Sequence, residues 1–171
     1  MFASPPRAAW RGALPLALAL FAATPAQAQQ QQPAPPPAPP FGAPISYAQA
    51  QRAAQAAMAK AAEIRVPNSI AVVEPSGDLV FFLRMDGAPY SAAQLAQQKA
   101  WTAARYRRPT KMFYDGVEGG HSFFLTFPGI AATPGGVPII VDGKLIGAIG
   151  VSGGNGEQDM MVSGAGAEVL K

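Results

Sequence analysis

His121 is the only histidine in the chain, and so its one strong nitrogen donor for a metal ion. It stands beside Phe123, Phe124 and Phe127, rings that could wall a flat ligand. The plainer reading is a loop histidine after the Gly119-Gly120 helix stop, bonded to a backbone carbonyl. Arg105, Arg107, Arg108 and Lys111 lie within seven positions, with Tyr106 among them. Guanidinium forks bind carboxylates bidentately, so this cluster could clamp an anion. It could equally be a solvated helix end with cations favourably placed at the C-terminal dipole. A third feature is Val151-Ser152-Gly153-Gly154-Asn155-Gly156, a run from a strand into a helix. Glycines there let backbone N–H groups approach an anion at a helix N-terminus. The alternative is a tight turn with Asp159 serving the dipole in the first helical turn.

Other chemistry is excluded by residue type. The chain has no cysteine, hence no disulfide, thiolate metal site or cysteine nucleophile. One histidine excludes His-Cys zinc sites and any site needing two imidazoles from one chain. Acidic residues are few and dispersed, so paired carboxylates for acid–base work are not evident. There is no G-x-S-x-G elbow, and the glycine turn has neither a βαβ context nor a P-loop lysine. No enzyme is expected.

The positioning elements follow from the chain's organisation. Arg7 and Arg11 precede the apolar run Gly12 to Ala23, and Ala26-Gln27-Ala28 follows. This is the pattern of a secretory signal peptide, residues 1–28, cleaved after Ala28. The run is about 12 residues long, where a membrane span needs about 20. A periplasmic or secreted location is expected, one that suits a chain without thiols. Removing the leader leaves 11 basic and 10 acidic side chains. A nucleic-acid partner therefore has no global electrostatic support, and no membrane association is expected afterwards. Residues 29–44, QQQQPAPPPAPPFGAP, read as an extended tether with no core of its own. A ligand for a proline-recognition module is the sharper alternative; a spacer is the plainer one.

Residues 45–171 suffice for one packed core. Ser46 and Gln49 form a capping box that opens an alanine-dominated helix to about Ile64, suited to close packing on a flat surface. Ser69 to Glu74 and Leu79 to Arg84 flank Pro75-Ser76-Gly77-Asp78 and form a hairpin. Both runs are apolar at nearly consecutive positions, so both are expected to be covered on each face. Ser91 caps a helix to about Tyr106, with Leu95, Lys99 and Thr102 near one stripe. Thr110 caps a short helix to about Val117. His121 to Phe127 reads as a short helix or irregular segment. Val137 to Val141 and Lys144 to Val151, separated by Asp142-Gly143, form a second hairpin. A last helix runs from about Glu157 to Leu170. The order α-ββ-α-α-ββ-α implies an α+β domain with a mostly antiparallel sheet.

Several segments resemble the HbpS/GlcG-like haem-binding family in order: Leu79 to Ala88, Lys99 to Ala103, Arg108 to Lys111, Gly135 to Ile139, Gly147 to Gly153 and Glu157-Gln158-Asp159. Together they span nearly all of the folded part. The resemblance implies a profilin-like domain whose five-stranded antiparallel sheet is covered by helices, where the pattern above gives four strands. A fifth could lie in Phe123 to Phe127. It implies homo-oligomers and, in some members, haem or corrinoid-type ligands. It places Arg84, Asp86, Lys99 and Asp159 near one end of the sheet, lining a polar pocket or forming ion pairs. An axial histidine proposed in relatives lies on the first helix, which here offers only Met58. The expected protein is an exported, non-catalytic haem-binding one. Its candidate ligand-binding residues are Arg84, Lys99, Arg108, Lys111, Gly153 and Gly154, with His121 toward the iron. The rivals are a small-carboxylate sensor or accessory subunit using Arg84, Lys99 and the glycine turn, and an oligomeric scaffold without ligand.

Overall fold

A computed structural model describes residues 36–171; the expected leader and residues 29–35 of the tether lie outside the described residues. Helix α1, Tyr47–Glu63, begins at the expected box: the Ser46 side chain accepts the Gln49 N–H, and Gln49 Oε1 accepts the Ser46 N–H. Strands β1, Ser69–Val73, and β2, Leu79–Arg84, form the first hairpin. Helices α2, Ala92–Tyr106, and α3, Thr110–Glu118, follow, then a 3-10 turn at Ser122–Thr126. The second hairpin is β3, Gly136–Val141, with β4, Lys144–Ser152. Asp142 and Gly143 turn between them with positive φ of 47° and 72°. Helix α4 spans Gly156–Glu168.

The strands form one antiparallel sheet in the order β2-β1-β4-β3. Among the described residues it has four strands, where the resemblance implies five. Phe123 to Phe127 winds into the 3-10 turn instead, as the short-helix reading expected. Side chains alternate across the sheet with the period of two that a pleat dictates. Ala71, Val73 and Ala148 meet Ala96, Ala100, Ala103 and Ala104 of α2 on one face. Ile70, Val72, Ile149 and Val151 meet Ala50, Ala53, Ala57 and Val162 of α1 and α4 on the other. The layers are therefore α2, sheet, and α1 with α4. Alanine lets both sets of helices lie close to the strands. Closest of all is α2 over β4: a Cβ at Gly150 would run into the Ala96 carbonyl oxygen and the Ala100 amide nitrogen.

Some local expectations are corrected. Strand β1 is buried throughout, but β2 is an edge strand and only half covered; Leu79 is exposed. Ser91 makes no capping bond, because its own backbone is already helical. Pro109, not Thr110, is the N-cap of α3. Thr110 is buried and its hydroxyl accepts the Gly136 N–H at 2.9 Å, tying α3 to β3. The start of α4 is set by a second capping box, Asn155 with Gln158, one residue earlier than expected. Replacing Asn155 by Ala is expected to cost about 1 kcal/mol, read from the urea midpoint at unchanged slope. Among the described residues no helix is long and apolar enough to cross a membrane.

Candidate functional site

The stripe carrying Lys99 buries it completely, and a buried ammonium needs a partner. Lys99 Nζ donates to Asp159 Oδ2 at 2.7 Å and to the Val151 carbonyl at 3.0 Å. Asp159 Oδ1 accepts from Asn68 Nδ2 at 3.2 Å and from the Gly154 N–H at 2.9 Å. Helix α2, the end of β4, the turn into α4 and the segment before β1 are thus joined at one ion pair. Gly135 (φ 118°) completes the packing, since a Cβ there would sit 3.0 Å from Lys99 Nζ. Burial lowers the Lys99 ammonium from its usual range, while the hydrogen bond and charge of Asp159 push it back up.

Two of the candidate ligand-binding positions are engaged within the fold. Lys99 is spent inside the fold rather than offered to a ligand. The Gly153-Gly154 turn is also engaged: the Gly154 N–H is held by Asp159, and the Asn155 N–H by Gln158. The ion-pair alternative describes Lys99, and the tight turn with Asp159 in the first turn of α4 describes the glycine run. The signal is present in the sequence, because a lysine on the buried stripe of an alanine-rich helix requires a counter-charge.

Beside this junction opens a cleft of about 760 Å³ between α3, the loop before β3 and the first turns of α4. Lys111 and Tyr114 come from α3, Thr133 and Pro134 from the loop, and Asn155, Gly156, Glu157, Met160 and Met161 from the α4 end. Its size falls within the range of about 300–1,000 Å³ typical of small-molecule sites. Its walls are mostly apolar, and its charges are Lys111 and Glu157. Lys111 is the one candidate residue that lines it, and it also pairs with Asp115 at 2.7 Å. Tyr114, Met160 and Met161 are not among the residues that sequence reasoning singles out. A Met-Met pair one turn beyond a strand-to-helix glycine run is the available cue.

The other candidates lie outside the wall of this cleft. His121 is exposed and packs edge-on to Phe123 and Phe124. Arg84 donates to the Ala88 carbonyl at 2.6 Å and lies over the Tyr90 ring. Arg108 donates to the Pro36 carbonyl at 3.0 Å. The sheet end thus gathers Lys99, Gly153 and Gly154, but around Asp159 rather than around an open pocket. Arg84 stands at the same end, since Arg84 and Ser152 both lie opposite Ser69 of β1. Among the described residues no group of three or more His, Asp or Glu side chains could hold a metal ion.

A family model described as haem degrading protein HbpS-like matches residues 45–168. The chain belongs to the HbpS-like family. An uncharacterised 15.0 kDa protein of the dhaT-dhaS intergenic region of Citrobacter freundii is 39% identical over 125 residues, covering 71% of this chain and 88% of that protein. The crystal structure of HbpS superposes with a TM-score of 0.70 at 30% identity, covering 76% of this chain and 92% of that one. A solved complex of PduOC with haem matches with a TM-score of 0.68 at 28% identity, covering 75% of this chain and 96% of that one. The HbpS-like fold, an α+β domain with an antiparallel sheet, is the one read from the motif series.

Proposed function

We propose that this protein is exported and binds a haem-type tetrapyrrole in the cleft between α3 and α4. The observation that carries the reading is the cleft itself, large enough and walled by Met160, Met161, Tyr114 and Pro134. It is supported by the likeness to a protein solved as a haem complex. The apolar walls suit a macrocycle, and Lys111 at the rim suits a propionate. The donor set fits iron without histidine, since thioether and phenolate groups both serve as axial ligands. Met160, Met161 or Tyr114 would hold the metal; His121 stands elsewhere. Bound haem would supply a redox-active iron, and the protein's part is to bind, orient and shield it. We extend the proposal to a homo-oligomer in a periplasmic or secreted setting.

Haemin titrated into the protein is expected to give a shifted Soret band. Met160→Ala with Met161→Ala is expected to weaken binding about tenfold or more, roughly 1.4 kcal/mol per decade. His121→Ala is expected to leave the band unchanged. No Soret shift on haemin addition would remove the reading, and loss of binding in His121→Ala would move the site. The family description favours a second reading, degradation of the bound haem. A band stable under ascorbate selects a carrier; steady bleaching selects degradation.

A further inference from the structure

The last residues of the proline-rich run are held at several points. Arg107 Nη1 donates to the Pro39 carbonyl at 3.1 Å, and Arg108 Nη2 to the Pro36 carbonyl at 3.0 Å. The Arg107 guanidinium also lies 5.0 Å from the centre of the Phe41 ring. Next, the Pro40 carbonyl accepts the Leu145 N–H, and the Gly42 N–H donates to the Leu145 carbonyl, both at 2.8 Å. Ile45 N–H donates to the Ile146 carbonyl at 2.7 Å. The segment therefore lies along the start of β4, where Phe41 and Leu145 form a parallel bridge.

The contacts to the carbonyls of residues 36, 39 and 40 suit proline. A polyproline chain is extended before it docks and makes no internal hydrogen bonds, so its carbonyls are free and little entropy is lost on binding. It repeats every three residues, which brings carbonyls three positions apart to one side. The two arginines take carbonyls 36 and 39. Among the described residues neither of them pairs with a carboxylate. Two arginines of the basic cluster thus receive backbone carbonyls, and the segment that supplies them is already seated.

We infer that Arg107 and Arg108, with the start of β4, form a recognition site for proline-rich chain, and that its resident occupant is this protein's own segment 36–41. The prolines of that segment are a ligand as well as a spacer. Seating fixes where the tether leaves the domain, beside the α2–α3 junction.

The test is chymotryptic cleavage after Phe41 in the full chain, with fragments identified by mass and folding checked by circular dichroism. Arg107→Gln with Arg108→Gln is expected to raise the cleavage rate about tenfold, by raising the open fraction of the segment. Replacing Pro36, Pro37 and Pro39 by Gly is expected to raise it about threefold or more, through the greater freedom of the unbound chain. Arg105→Gln, whose side chain bonds the Ser76 carbonyl instead, is expected to leave it unchanged. An arginine variant cut at the wild-type rate overturns the site. A glycine variant cut at the wild-type rate overturns proline recognition. Should the arginine variant fail to fold, the glycine variant decides, since its substitutions lie outside every helix and strand.

Discussion

Lys99→Met is expected to destabilise the domain by about 3–5 kcal/mol, because it strands the Asp159 carboxylate in the interior. The pair is almost fully enclosed, with side-chain exposures of 2% and 3%. Water therefore cannot replace the lost ammonium. Asp159 keeps its bonds from Asn68 and Gly154, which places the loss toward the lower end of that range. Adding Asp159→Asn to Lys99→Met is expected to restore part of the stability. The amide oxygen still accepts from Gly154 while the unpaired charge is gone. Urea denaturation of both single variants and the double closes the cycle. Strictly additive losses would show that the two side chains act independently, against the geometry described.

Gly150→Ala is the second large effect, at about 3 kcal/mol or more, the upper range for overpacking. Its Cβ would meet backbone atoms of α2, at Ala96 and Ala100, and backbone cannot rotate out of the way as a side chain can. Helix α2 must lift from β4 to accept a methyl, opening contacts along the Ala96–Ala104 face. Gly164 gives the contrast. It lies within α4, and a Cβ added there would meet nothing within 4 Å. Gly164→Ala is expected to raise stability by about 0.5–1 kcal/mol, the ordinary helix gain. Thermal midpoints of the two variants check both signs, and a neutral Gly150→Ala would contradict the tight α2–β4 approach.

Much of the fold is legible because its signals are local. The Ser46–Gln49 box, Asp142-Gly143 between apolar runs and Gly119-Gly120 after a short helix each act within a few residues. The misreadings share another cause. Whether Leu79 to Arg84 is covered on both faces depends on strand order, which the run itself does not encode. Whether Thr110 caps a helix or ties it to β3 depends on Gly136 standing opposite. The candidate ligand residues stand out in the sequence by charge and glycine content. In the structure, charge on a buried stripe is consumed by Asp159, and charge at the α2 terminus by carbonyls of the tether. The cleft is not legible because methionine, tyrosine and proline carry no distinctive spacing. Only the tertiary arrangement of α3 against α4 brings them to one wall.

The strand order also governs how this sheet meets other chains. Its two rims are β2 and β3, and Pro138 sits within β3 opposite Ala148. A proline has no N–H, so the outer rim of β3 has a gap in its ladder and resists templating by a foreign strand. The β2 rim has no proline, and Leu79 is half exposed there. Any edge-to-edge accretion is therefore expected at the β2 rim rather than at β3.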